Sequence, residues 1–497
     1  MNFERSSGIL LHPTSLPGKF GIGSLGKEAF DFVDFLVESG QKLWQVFPLG
    51  PTGYGDSPYQ CFSAFAGNPL LISLEKLVEE GLLTENDLNT NETFDTNLVD
   101  FGKVINFKFP VLRKAYSHFA MNGSQLEKIK FDTFCQNSSL WLEDYALFMA
   151  LKDHFGGKPW IEWDLDIKMR EEKALEYYAN HLSETINFQK FIQYLFFKQW
   201  KEVKSYANSN YIKVVGDIPI FVAFDSADAW SNPDIFLFDQ DRKPIKVAGV
   251  PPDYFSATGQ LWGNPLYDWN KLEETGFQWW IDRIKSNLVL SDIIRIDHFR
   301  GFAAYWAVPY GEKTAINGEW VPAPGKALFT AIEKALGTLP IIAEDLGLIT
   351  PDVIELRDHF NFPGMKILQF AFDSGEENDY LPHTYDKNCV VYTGTHDNDT
   401  VLGWYQKAKA EDKKFLADYI NVVCNDSNIS MELLKAAWAS TAVIALAPFQ
   451  DLLGLGSEAR INTPGVAAGN WMWRAKAEQI NSSKASDLRK VTKLYFR

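Results

Sequence analysis

The chain has 497 residues, of which 46% are hydrophobic and 23% charged, and a formal net charge of −16. That length and balance suit a soluble globular fold with a large core, and the acidity argues against nucleic acid or an anionic membrane as a partner. Cys61, Cys135, Cys389 and Cys424 lie far apart with no C-x-x-C pair, so neither a disulfide framework nor structural zinc is expected. Met1 to Ser6 carry no apolar run of the signal-peptide kind, and the longest apolar candidate, Thr441 to Phe449, is too short to cross a bilayer. A reducing, cytoplasmic location is expected.

Read in chain order, apolar and β-branched runs recur, each followed by polar, Gly or Pro residues. The first two are 8–12 and 43–48. About 160 residues then pass before the third, 212–217. A structureless connection of that length is improbable. Its sequence reads as helical, for example at 141–154 and 188–206, and predicts a mainly helical subdomain over about 60–205. Residues 249–265 combine Pro251-Pro252, Tyr254, Phe255, Trp262 and three glycines, Gly249, Gly259 and Gly263. That composition fits an aromatic loop lying over a site, with bends at the glycines. The five remaining runs are 293–297, 341–344, 365–370, 390–395 and 442–448. Helical periodicity precedes three of them, at 277–288, 325–336 and 351–359. Thr350-Pro351-Asp352 reads as an N-cap with Pro at the first helical position.

Continuous apolar runs of this length suit strands buried on both faces. Eight of them, several separated by helices, imply a single (β/α)₈ TIM barrel with large, mainly helical insertions. The chain after the eighth run is too short for an appended C-terminal β-domain.

Active sites of such barrels form at the C-terminal strand ends. Three runs deliver acids there: Asp297, Glu344 beside Asp345, and Asp397 after His396, each about 50 residues from the next. Arg295 and Asp297 are two residues apart and share a strand face. A guanidinium there favours the charged carboxylate that a nucleophile needs, although the pair could also merely fill the barrel. Glu344 follows an apolar stretch, which raises a carboxyl pKa and suits an acid that protonates a leaving oxygen. A helix N-terminal role is the alternative, and Asp345 suits that role better. Asp397, His396, Asn398 and Asp399 offer donors and acceptors for sugar hydroxyls. No spacing resembles a metal loop or a helical H-x-x-x-H, so neither a metal nor any other cofactor is expected. Paired carboxylates of this kind serve retaining or inverting glycosidic chemistry according to their separation.

The segments Ile294-Arg295-Ile296-Asp297-His298-Phe299-Arg300-Gly301, Ala343-Glu344-Asp345-Leu346-Gly347 and Thr395-His396-Asp397-Asn398 resemble the catalytic strand ends of amylomaltases. These are the 4-α-glucanotransferases of glycoside hydrolase family 77, in the α-amylase superfamily. Gly55 to Gln60, Gly216 to Ile220, Gly249 to Phe255, Gly259 to Pro265 and Arg460 to Gly465 are similar to that family too, so the likeness spans nearly the whole chain. The resemblance implies Asp297 as nucleophile, Glu344 as general acid/base and Asp397 as stabiliser of the distorted sugar, with retention of configuration. It implies substrate contacts from Arg295, His396, Tyr59, Asp217, Asp253, Phe255, Gln260, Trp262 and Asn462. Substrates would be α-1,4-glucans and glucose, joined by segment transfer to a 4-hydroxyl. A glucan hydrolase with the same acids, or a non-catalytic glucan-binding barrel, are the competing readings. Ile218-Pro219-Ile220 replaces the calcium-ligating Asn region of secreted α-amylases, which puts calcium in doubt.

Overall fold

The computed structural model describes residues 3–497 except 54, 253–255, 348 and 375–376. Its strands are β1 (Ser6–Leu10), β2 (Leu43–Gln45), β3 (Lys213–Pro219), β4 (Lys246–Val250), β5 (Gln260–Pro265), β6 (Ile293–Asp297), β7 (Ala304–Pro309), β8 (Glu319–Pro322), β9 (Ile341–Ala343), β10 (Gly364–Ile367), β11 (Cys389–Tyr392) and β12 (Ile444–Pro448). Eight of them form one sheet in the order β10-β11-β12-β1-β2-β3-β6-β9, every pairing parallel. All eight apolar runs are in this sheet. The (β/α)₈ barrel expected from them is present.

Burial explains the runs. β1, β11 and β12 are buried at every position. Leu43, Val215, Ile293, Ile342, Ile367, Val390, Tyr392 and Leu446 form an inner cluster. A second layer of helices covers the outward faces. The helices at Gln278–Leu290, Gly325–Leu336 and Pro351–His359 fall where periodicity predicts them. Thr350 does precede Pro351 with an extended backbone, but its side chain makes no cap hydrogen bond. Pro351 at the first position sets that helix start, and the expected hydroxyl cap is absent.

The barrel ladder is weakest between β9 and β10. There one backbone bond, Ala343 N–H to Pro363 O at 3.0 Å, crosses the seam. Asp345 supplies the rest: its carboxylate accepts the Met365 N–H at 2.7 Å and Arg357 Nη1 at 2.5 Å. A Cβ on Gly364 would lie 2.4 Å from Asp345 Oδ2, so the seam needs glycine there. Asp345 thus closes the barrel instead of facing a helix N-terminus, as the sequence had suggested.

Between β2 and β3 the chain is largely helical, with Phe101–Asn122, Gln125–Asn137, Leu142–His154, Glu172–His181 and the long Ser183–Ser209. The long helix anchors the segment that follows Tyr59. Gln193 both donates to Gly67 O (2.8 Å) and accepts from Gly67 N–H (2.7 Å). Gln199 does the same with Ser73, at 3.1 and 2.7 Å. Two buried amides therefore take the place of a strand partner.

A second sheet, antiparallel and ordered β5-β4-β7-β8, stands on the rim beside β6. Sequence periodicity did not reveal it. Its strands are short and interrupted by Gly and Pro, and its central β4–β7 pairing joins segments distant in the chain. The expected loop over 249–265 is in part this sheet, since β4 and β5 form its two sides. Gly259 and Gly263 have φ of 67° and 77°, while Gly249 is absent from the positive-φ glycines. Two of the three expected glycine bends are therefore seen. Among the described residues no strand follows β12, and no helix is long and apolar enough to cross a membrane.

Candidate active site

The acids converge because adjacent parallel strands end together. β3 pairs with β6 so that Asp217 stands opposite Arg295. Arg295 is 3% exposed and its Nη1 lies 2.8 and 2.7 Å from the two oxygens of Asp217 and 3.0 Å from Asp297 Oδ1. Its Nε meets the Met365 thioether of β10 at 3.4 Å. One buried cation thus bridges two carboxylates. These two charges raise the Arg295 pKa well above its ordinary value against the opposing effect of burial. Burial pushes Asp217 up to about 7, with Arg295 pulling the other way. Asp217 is enclosed, while the Asp297 side chain is 26% exposed and open to the cleft.

Glu344 stands at the end of β9, beside β6. Its Oε2 accepts the His298 N–H at 2.6 Å and its Oε1 accepts the Leu346 N–H at 2.9 Å. His298 reaches that oxygen because its backbone is left-handed, φ 53°. His is among the residues enriched in that conformation. Burial first, and the Asp297 charge second, hold the Glu344 carboxyl well above the usual carboxylate range. The two amide donors and Arg295 oppose this without cancelling it. The environments of Asp297 and Glu344 therefore differ: one carboxylate is paired with a cation, the other carboxyl is half-buried beside an anion.

Across the cleft, the loop after β11 carries His396 and Asp397. Asp397 is half exposed, and its Oδ1 accepts the Asn462 amide at 2.6 Å. Arg460 donates to Asp397 O (2.6 Å) and to Asn462 O (2.7 Å). His396 stacks on Tyr59 with centroids 4.7 Å apart. Its Nδ1 is 3.2 Å from Tyr59 Oη, and its Nε2 is 3.4 Å from Asp397 Oδ2. Tyr59 Oη donates to Asp217 Oδ2 at 3.0 Å. Burial lowers the His396 pKa, which favours the neutral ring. A continuous polar arc results: Asp297, Arg295, Asp217, Tyr59, His396, Asp397, Asn462.

On the third side, Trp262 of β5 meets the His298 ring edge-on at 4.8 Å and donates from Nε1 to Gln260 Oε1 at 3.2 Å. Asp253 and Phe255 lie outside the described residues. Asn398 and Asp399 are engaged elsewhere. Asn398 Oδ1 accepts the Thr395 N–H and hydroxyl at 2.8 and 2.9 Å, and Asp399 binds Lys407 and Ser457 at 2.6 and 2.7 Å. They shape the loop, which corrects their expected role toward sugar hydroxyls. Sequence reasoning gave no role to His298, Arg460, Phe47 or Trp471, although His298 and Arg460 lie in segments that carry the family resemblance and Phe47 lies in the run 43–48.

Fold and site together define a (β/α)₈ barrel with strand-end carboxylates set for glycosidic-bond chemistry. Comparison with known proteins sharpens this. The chain belongs to the 4-alpha-glucanotransferase family, which it matches over residues 11–480. It is 54% identical to a 4-alpha-glucanotransferase of Synechocystis sp., covering 99% of this chain and 98% of that protein. A 4-alpha-glucanotransferase of Clostridium butyricum is 50% identical, covering 98% and 100%. Among solved structures, an amylomaltase from Streptococcus agalactiae in complex with acarbose superposes with a TM-score of 0.96 at 43% identity, covering 99% of this chain and 100% of that one.

Proposed function

We propose that this protein is a 4-α-glucanotransferase that moves a segment of an α-1,4-glucan onto the 4-hydroxyl of glucose or of another α-1,4-glucan. The observation that carries this reading is the unlike pair at the ends of β6 and β9: Asp297 bonded to the Arg295 guanidinium, beside a half-buried Glu344 whose carboxyl pKa burial and the Asp297 charge raise. Such a split assigns base and acid within one site.

In the first step an Asp297 carboxylate oxygen attacks C1 of the donor glucose. The C1–O4 bond breaks, and Glu344 gives its proton to the departing O4. A covalent glucanosyl ester on Asp297 remains. In the second step the acceptor 4-hydroxyl attacks C1 while Glu344, now a carboxylate, takes its proton, and Asp297 is released. Configuration is retained by two inversions. Asp397 and His396 stand side by side at the cleft, placed to hold hydroxyls of the distorted ring. Trp262 and Gln260 line the acceptor side.

Water competes for the ester at roughly 55 M, whereas well-oriented acceptors reach effective molarities of about 10⁵–10⁸ M. Positioning by the β4–β5 side of the cleft would thus favour transfer. Residues 249–265 are accordingly assigned to the active site, and about 60–205 to a helical subdomain inserted in the barrel. Four unpaired cysteines support a reducing, cytoplasmic setting.

Maltotriose tests the reading. A ladder of longer maltooligosaccharides with glucose is expected. Collapse to glucose and maltose alone would make the protein a hydrolase, and no turnover would make it a binding protein.

A further inference from the structure

Trp471 has a backbone φ of 65°. A bulky residue in that region is an outlier, and such strain persists only where the surroundings over-determine it. Here they do. The Trp471 N–H donates to Ile461 O at 2.6 Å, closing the neck of the exposed loop 462–470. Beyond Trp471 the chain is tied down. Met472 O accepts the Val99 N–H at 2.7 Å, and the Ala475 N–H donates to Ser15 O at 2.8 Å. The Arg474 guanidinium binds Asp95 O and Gly18 O at 2.8 and 2.7 Å. The anchored side therefore drives the indole inward.

The indole is 6% exposed and meets three rings of the cleft: Phe47 at 5.6 Å, His396 at 5.7 Å and Tyr59 at 5.8 Å. Phe47 in turn meets His396 edge-on at 5.3 Å. Tyr59 and His396 are the two rings whose polar atoms link Asp217 to Asp397. Neither lies in a strand, so ring packing acts with the Tyr59 hydroxyl's bonds to hold them.

We propose that Trp471 is a positioning residue for the transfer reaction, its strained turn pressing Tyr59 and His396 into the register that joins Asp217 to Asp397. This rests on the reading of the cleft as the glucan-transfer site. Without the indole the stacked pair has a void to tilt into. A displacement near 1 Å at such groups costs about 100-fold in rate.

The test measures kcat and KM for maltotriose disproportionation, with the thermal midpoint of each variant. Trp471→Leu, which keeps apolar volume without a ring, is expected to lower kcat about 10–100-fold, with KM within about threefold. Trp471→Phe should recover most of the loss. Trp471→Gly relieves the left-handed backbone, and should remain as slow as Trp471→Leu. In combination with His396→Asn, Trp471→Leu should add less than about twofold, because both changes disable one unit. Wild-type kcat in Trp471→Leu, losses that multiply in the double variant, or recovery in Trp471→Gly would each overturn the proposal. If Trp471→Leu does not fold, Trp471→Met takes its place with the same outcomes. Asp297→Ala in the same assay reads the functional assignment separately: activity there removes that assignment, whereas a multiplicative cycle removes only the role of Trp471.

Discussion

The two sides of the cleft are built differently. Asp297 and Glu344 are carried on adjacent parallel strands and oriented by Arg295 and by backbone N–H groups. Asp397 sits on a loop and is held by side chains from far along the chain, Asn462 and Arg460, with His396 packed on Tyr59 and Trp471. The strand side inherits its geometry from the barrel. The loop side must assemble it from pairwise contacts, which makes it easier to perturb and better suited to receive and release a chain of sugars.

The largest effects are expected on the strand side. Asp297→Ala removes the proposed nucleophile and should lower kcat for transfer from maltotriose by at least about 10⁴-fold. A loss below tenfold, with the fold intact, would mean that strand-end geometry does not carry the chemistry. Glu344→Gln should cost about 10²–10⁴-fold with maltooligosaccharide donors. α-Glucosyl fluoride, whose leaving group needs no proton, should restore formation of the glucosyl ester.

The same residue sets the alkaline limb of the pH profile. In the proposed mechanism Glu344 must be protonated in the first step, and burial and the Asp297 charge raise its pKa. Activity with maltotriose should therefore persist through neutral pH and fall only as pH climbs past that raised value. With the fluoride donor, the limb should vanish from the ester-forming rate of Glu344→Gln. An unchanged limb would assign the proton to another group.

On the loop side, Asn462→Ala removes the amide on Asp397 and should lower kcat/KM about tenfold, the scale of a hydrogen bond to a charged group. An effect as large as that of Glu344→Gln would erase the contrast between the two sides. The smallest catalytic effect should come from the seam below. Gly364→Ala brings a methyl against Asp345, costs about 1–3 kcal/mol and lowers the thermal midpoint. If the barrel frame is what orients Glu344, this variant should lose stability well before activity at assay temperature.

The strand side was legible from local pattern. Continuous apolar runs, a polar residue at each end, and the two-residue spacing of Arg295 and Asp297 follow from strand periodicity and from burial on both faces. Arg295 was expected to serve Asp297. Its closest partner is Asp217, 78 residues away, a pairing set by the register of β3 on β6. Asp345 reads in sequence as a helix N-terminal acid, and in the structure it stitches β9 to β10.

From the chain alone came the barrel and the candidate acids Asp297, Glu344 and Asp397, because each ends or follows an apolar run that local pattern marks as a strand. The antiparallel sheet at the rim, the barrel seam, the left-handed His298 and the ring cluster under Trp471 were decided by tertiary structure. Tyr59 and His396 are 337 residues apart. Contacts at such separation leave no period in the sequence, and only the folded backbone determines which of many aromatic side chains meet.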